Sequence, residues 1–395
     1  MHAEALSLLV ISLAVAVLPS VARVLRLPAA VVEIAFGVII GKSVLNAALG
    51  GEWLPFLAQL GFLVLMFQAG MEIDFTMLRG QGARRMGLHL AVFAATLLAA
   101  GAAARLLGGG VFLALVLSTT SLGLVVPTLR ESGLARRPLG QNILIAATLA
   151  DFLTLLGITF YVLYAQYGLS WRFVQPLPLF AGFALALWAA RLWAWWHPER
   201  ARRLLAASDA QEMGVRLSLA LLFVFVGVSE LVRIEPVLGA FLGGCILSFV
   251  FREKEPLEHK ISALGFGFLI PLFFIHVGMG FDVAAVLSPE RLGFVGLLFL
   301  LALGVKLVPG LLYPLWGLRL RDGLKAGLLL SSRLSLIVAA AAIGLERGFL
   351  DRGTKDAVVL LALLTCLAGP ALFRLATRRE ARRAAQERAL ADQED

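Results

Sequence analysis

The sequence predicts an all-α integral membrane protein of thirteen spans, and three observations carry that prediction. Of its 395 residues, 60% are hydrophobic and 15% charged, and the mean hydropathy is +0.88; ordinary soluble domains are about a quarter charged. Apolar runs long enough to cross a bilayer as a helix, roughly 17–25 residues, recur through the whole chain. The period-two alternation of an outer-membrane barrel is absent.

The elements follow in order. Met1–Arg23 is apolar but lacks the basic start of a secretion signal, so it reads as the first span, 4–22. Further spans are expected at 28–46, 53–71, 86–107, 111–129 and 139–165. A seventh, 174–196, leads into the Trp-rich edge and basic connection Leu192–Ser208, the natural seam between two halves. Beyond it come 214–232, 236–251, 262–280, 292–317, 324–345 and 354–376, then a charged, Ala-rich helical tail. Six spans on each side of the seventh would allow inverted repeats. Lys and Arg concentrate in the turns after odd-numbered spans and in the tail. The positive-inside rule then puts the N-terminus outside and the C-terminus in the cytoplasm of a multi-pass inner-membrane protein. That distribution explains the net charge of +9 as topology and excludes a nucleic-acid partner. Cys245 and Cys366 lie in apolar runs, against a disulfide framework.

Ser118 to Asp151 is the stretch around which the chain is organised. Ser118, Thr119, Thr120 and Ser121 form a hydroxyl cluster, followed by Gly123 and Pro127, which weaken or remove helix hydrogen bonds. The next span carries one carboxylate, Asp151, in an apolar run. An ionisable group at bilayer depth costs several kcal/mol and marks an ion or proton path. A broken helix beside it offers carbonyls and hydroxyls to a bare cation. Burial favours a carboxylate's protonated form and a nearby cation its ionised form, so one carboxylate can exchange a proton for a monovalent cation. Span twelve repeats the theme with Ser331, Ser332, Arg333 and Ser335, seven spans away and therefore crossing in the opposite sense. Lys306 lies mid-span and is expected to act as a counter-charge to Asp151. Arg333 has a side chain long enough to reach cytoplasmic water or to serve the site. Glu33 is intramembrane, with packing or a dimer contact as its alternatives to transport. Glu72, Asp74 and Asp282 sit at helix edges, and His276 reads as a core residue. No Walker loop, dinucleotide fingerprint or metal cluster appears, so neither enzyme activity nor a cofactor is expected.

These motifs resemble the monovalent cation:proton antiporter superfamily, in particular its second branch, which includes bacterial sodium/proton antiporters and Kef-type potassium/proton systems. The resemblance rests on L-P-A-A-V-V-E-I-A-F-G-V-I-I-G (27–41), G-F-L-V-L-M-F-Q-A-G-M-E-I-D (61–74) and T-T-S-L-G-L-V-V-P-T-L-R-E-S-G (119–133). It continues in P-V-L-G-A-F-L-G-G-C-I-L-S (236–248), P-L-F-F-I-H-V-G-M-G-F-D (271–282) and L-S-L-I-V-A-A-A-A-I-G-L-E-R-G (334–348). It implies two inverted six-helix repeats with two crossed broken helices, a homodimerising scaffold (1–80 and 213–288) and a mobile core (81–170 and 289–378). Residues 171–212 would then be the linker and 379–395 the cytoplasmic tail. Asp151 falls on the family's ion-binding aspartate, Thr120 on the threonine of the first break, and Lys306 on the core lysine of electrogenic members. Two positions depart from the pattern: Ala150 stands where similar members have Asp, Asn or Gln, and Arg333 where many have an acid. A Kef-type nucleotide-binding domain is absent, so such control would need a separate cytoplasmic subunit.

The expected function is secondary-active exchange of Na+ or K+ for protons, with Asp151 binding either ion and Thr119, Thr120, Ser121 and Ser332 lending oxygens. Lys306 and Arg333 would compensate charge. A Kef-like gated potassium efflux pore is the rival reading. With Ala150 in place of a second carboxylate, Lys306 paired with Asp151 makes exchange electroneutral, which is the expectation. A second proton released from Lys306 would make it electrogenic.

Overall fold

The computed structural model describes residues 2–25, 27–42, 53–72, 82–135, 137–168, 212–231, 235–250, 255–283, 289–317 and 319–391, with scattered positions between. Asp74, most of the seventh expected span and most of the Leu192–Ser208 connection lie outside the described residues.

The helices in chain order are α1 (His2–Leu25), α2 (Ala29–Ile40), α3 (Trp53–Met71), α4 (Ala83–Leu106), α5 (Val111–Ser118), α6 (Leu122–Glu131) and α7 (Pro138–Tyr167). They continue with α8 (Met213–Leu231), α9 (Pro236–Val250), α10 (Glu255–Leu264), α11 (Ile270–Met279), α12 (Pro289–Gly310), α13 (Leu320–Leu330), α14 (Ser335–Glu346) and α15 (Arg352–Ala391). Among the described residues, nine helical stretches are long and apolar enough to cross a membrane, and the bent pair α13–α14 adds a tenth. The shorter apolar helices α2 and α9 lie where two further spans were expected. The protein is an all-α, multi-pass membrane protein. Helices prevail because lipid supplies no hydrogen-bond partners, so each span must satisfy its backbone internally.

The chain divides into two compact units, Met1–Thr76 with Thr159–Val283, and Met77–Ile158 with Ala284–Asp395. The first is held by close helix packing. There α3 lies against α9 and α11, α2 against α11, and α8 against α9. Glycines let the backbones approach: a Cβ at Gly37 would sit 2.1 Å from the Ile275 carbonyl oxygen, and one at Gly278 2.1 Å from that of Ile34. Small residues are what membrane helix interfaces use, because apolar burial gives helices no preference over lipid. Between α10 and α11 the helix widens into a π turn at Gly265–Leu269. The side-chain amide of Gln68, from α3, donates to the Ile261 carbonyl just before it, at 3.0 Å. Glu33, on α2 in this unit, is buried.

In the second unit α4 packs on α5 and α12, α12 on α13, and α15 on α13 and α14. Val92, Val125, Leu129, Ile143, Leu329 and Phe373 belong to its apolar core. The N-terminus of α15 is capped by Asp351, whose carboxylate accepts from the Thr354 hydroxyl and from the Gly353 and Thr354 amides. The Thr354 hydroxyl and then these amides hold the Asp351 carboxyl below its ordinary range. A lowered carboxyl stabilises above its unfolded pKa, and that contribution is lost as pH falls through the lowered folded value.

Gly37→Val tests the close packing of the first unit. A side chain there must push α2 off the α11 backbone, and overpacking of this kind costs about 1–3 kcal/mol. Thermal unfolding of the purified variant in detergent is expected several degrees below wild type. An unchanged midpoint would show that the two helices are not in tight contact.

Candidate ion-binding site

The site lies in the second unit, where two helices break. α5 stops at Ser118, and Thr119 adopts an extended backbone (φ −56°, ψ 159°). The stop follows from local chemistry: the Ser118 hydroxyl donates to the Leu115 carbonyl at 2.7 Å and that of Thr119 to Val116 at 2.8 Å. Such bonds offer the backbone an alternative to continuing the helix. α6 resumes at Leu122 with Pro127 inside it. The second break separates α13 from α14, which are bent by 52°, and Leu334 there is also non-helical (φ −148°, ψ −71°).

Each break leaves backbone carbonyls without helical partners, and side chains from other elements take them up. The Lys306 ammonium, from α12, donates to the Ser118 carbonyl at 2.6 Å and to Thr120 Oγ1 at 2.8 Å. Thr120 Oγ1 in turn donates to the Leu330 carbonyl at 3.0 Å, tying the first break to the second. Arg333 closes the loop from the other side: Nε donates to the Thr119 carbonyl at 3.1 Å and Nη2 to Ala302 at 2.9 Å. Its Nη1 has no hydrogen-bond partner.

The charges are sorted by the two half-helices. Lys306 and Arg333 meet the carbonyl end of α5, where a helix carries partial negative charge, and Asp151 meets the amide end of α6. Asp151 Oδ2 accepts from the Leu122 amide at 3.3 Å, while Oδ1 is buried with no hydrogen-bond partner. The Thr120 amide also lies close enough to act on the Asp151 carboxylate. One helical turn beyond Asp151 on α7, Thr154 Oγ1 lies 3.3 Å from Ser118 Oγ.

The expected residues are therefore distributed unevenly. Ser118, Thr119, Thr120, Lys306 and Arg333 share one hydrogen-bond network. Ser121 caps α6 through its carbonyl, which accepts from Leu124 and Val125. Ser332 Oγ packs against Gly369 of α15, where a Cβ would come within 2.2 Å, and has no hydrogen-bond partner. Glu33 belongs to the other unit. Lys306 makes no direct hydrogen bond to Asp151; its ammonium donates instead to a carbonyl and a hydroxyl. Arg333 does not snorkel to water: it is 0% exposed.

Several residues of the site escaped the sequence reading. A cavity of about 20 Å³ is lined by His89, Thr96, Thr120, Ala150, Lys306 and Tyr313, among others. His89 and Thr96 are seven residues apart, two helical turns, and so share one face of α4. That spacing of buried polar groups was the available signal. Thr154 carried a similar one, three residues after Asp151.

Known proteins resemble this chain in sequence and in fold. A family model described as "Sodium/hydrogen exchanger, transmembrane" matches residues 9–378. The chain belongs to the sodium/hydrogen exchanger family. Within this family it is 33% identical over 378 residues to the "Putative Na(+)/H(+) antiporter YjbQ" of Bacillus subtilis, covering 90% of this chain and 60% of that one. It thus spans under two thirds of that relative's length. It is 26% identical to the "Probable Na(+)/H(+) antiporter 3" of Methanocaldococcus jannaschii, covering 90% of this chain and 92% of that one. The sodium proton antiporter MjNhaP1 of M. jannaschii has a similar fold, with a TM-score of 0.65 at 11% identity over 95% of this chain and 96% of that chain.

Thr120→Val removes the hydroxyl that links Lys306 to Leu330 while keeping the side chain's shape. It leaves a buried carbonyl without a donor and the ammonium short of one acceptor, a cost of about 1–3 kcal/mol for each unsatisfied group. The variant is expected to unfold at a lower temperature and to need more cation for half-maximal transport. Wild-type values of both would show that this hydroxyl only fills space.

Proposed function

We propose that the protein is a secondary-active monovalent cation:proton antiporter in which Asp151 binds the cation and the proton by turns. The observation that carries this reading is the half-satisfied carboxylate: Oδ2 is held by the Leu122 amide and buried Oδ1 has no hydrogen-bond partner. A proton would add to a carboxylate oxygen, and a bare cation would bind the same carboxylate with hydroxyl and carbonyl oxygens completing its shell. The two ligands then exclude each other, and that exclusion couples their fluxes. Hydroxyls of Ser118, Thr119, Thr120, Ser121 and Ser332 are the proposed supplementary oxygens, with Thr154 added because it approaches Ser118. The relatives' names favour Na+ as the cation; K+ uses similar oxygen ligands, and cavity dimensions decide between them.

Lys306 and Arg333 serve this chemistry indirectly. By holding the freed carbonyls they fix the shape of the break, and their charge makes an anion at Asp151 tolerable. Lys306, held by two acceptors at 2.6 and 2.8 Å, is proposed to keep its charge throughout the cycle. Exchange would then be one cation for one proton and electroneutral. The first unit would be the scaffold and dimerisation surface and the second the moving core, with the N-terminus outside, the C-terminus cytoplasmic and any regulatory subunit on the cytoplasmic side.

Purified protein in liposomes, with Na+, K+ or Li+ added against a pH gradient, tests the reading. Wild type is expected to dissipate the gradient with at least one of these cations, and Asp151→Asn, which keeps the volume but cannot exchange a proton, to lose that activity. Cation-dependent proton flux in a folded Asn variant would rule out Asp151 as the shared site. Coupling is read separately by clamping the membrane potential. One net charge would gain about 2.3 kcal/mol per 100 mV, so an equilibrium ion ratio that ignores voltage is the expected result, and a ratio that follows it would assign Lys306 a titrating role.

A further inference from the structure

The cavity beside Lys306 is not used by the exchange just described. It is lined by α4, α7, α12, α13, the turn carrying Tyr313, and the first break, all within the second unit. Its size, about 20 Å³, exceeds the roughly 10–15 Å³ that one water requires, and buried polar sites of this size are normally hydrated. An ammonium has three N–H donors. Lys306 has two acceptors, the Ser118 carbonyl and Thr120 Oγ1, and its side chain lines the cavity. The Thr96 hydroxyl donates back to the Val92 carbonyl at 2.9 Å, so what it can offer the cavity is an acceptor. His89 and Tyr313 complete the polar wall, and His89, Thr96, Lys306 and Tyr313 are all more than nine-tenths buried.

We infer that this cavity holds one water that accepts a hydrogen bond from the third Lys306 N–H and donates to Thr96 and His89, which makes His89 a positioning residue for the ion site. The inference rests on the antiport reading for its functional consequence, but not for the water itself. Neutral imidazole offers a lone pair to the water. Imidazolium offers none, and it sets a second positive charge one water away from the ammonium, which disfavours both charges. Lys306 then holds the first break less well, and with it the α6 amide end that Asp151 uses. Exchange therefore declines when His89 becomes charged. The other charged or titratable groups around His89 are Arg85 on its own helix, Lys306 on α12, Tyr313 in the following turn, and Asp151 next to Ala150 on α7; α5 brings none.

Two measurements test this. In liposomes, the pH profile of cation-dependent proton flux is compared for wild type and His89→Gln, which keeps a hydrogen-bonding group that cannot charge. Part of the acid decline belongs to proton competition at Asp151, so the expected result is a displacement: the acid half-point of the profile moves to lower pH in His89→Gln. A superimposable profile, or loss of activity at every pH, would overturn the regulatory role of His89. The second measurement is an experimental structure of wild type and of Thr96→Val at a resolution that shows waters. Ordered water within hydrogen-bond reach of Lys306 Nζ in wild type, lost or displaced in the Val variant, is expected. A dry wild-type cavity overturns the inference whatever the transport assay shows. Wild-type protein with the water but no cation-dependent flux would instead overturn the antiport reading.

Discussion

The structure of the second unit depends on how it satisfies carbonyls where water is excluded. Breaking a helix inside a bilayer exposes backbone groups, and lipid offers them nothing. Here the donors are two buried cations: Lys306 covers Ser118 and Arg333 covers Thr119, while a second Arg333 nitrogen ties the break to the Ala302 carbonyl within α12. Neither could be replaced by an apolar side chain without stranding an acceptor. The breaks and the cations therefore require each other. The cations are costly to bury alone, and the carbonyls are costly to leave open.

Charge sorting follows from this constraint. Positive side chains collect at the carbonyl end of α5, and the amide end of α6 is left for an anion. Asp151 occupies that place through the Leu122 amide. The same broken helix thus supplies the reason for both signs of charge at the site. Thr120 then welds the first break to the second through Leu330, so a change at the ion site is felt on α13 as well.

Much of this was legible in the sequence, and what was not has physical causes. Span positions were readable because the bilayer imposes one length and one composition on every helix; α2 ends at Ile40, short of its expected span 28–46, because hydropathy does not mark where a helix ends at a glycine-rich crossing. The first break was expected around the hydroxyls, Gly123 and Pro127, and the non-helical residues are Thr119–Ser121, where Ser118 and Thr119 turn their hydroxyls back onto the preceding turn. Asp151 stood out as the single carboxylate of its span. Most partners of Lys306 and Arg333 did not, because the Ser118, Thr119 and Ala302 acceptors are backbone oxygens, which every residue has and no sequence pattern marks; only Thr120 offers Lys306 a side chain. His89, Thr96 and Thr154 were missed because isolated polar residues in apolar helices show their meaning only when a neighbouring element faces them.

The central claim is that one carboxylate holds either the cation or the proton. Its most direct test is proton release from purified, unbuffered protein in detergent, followed with a pH indicator while Na+ is added near the pH at which half of the sites carry a proton. About one-half proton released per site, saturating with cation and missing from Asp151→Asn, is the predicted result. Saturable Na+ binding with no proton released, or the same release from the Asn variant, would contradict it.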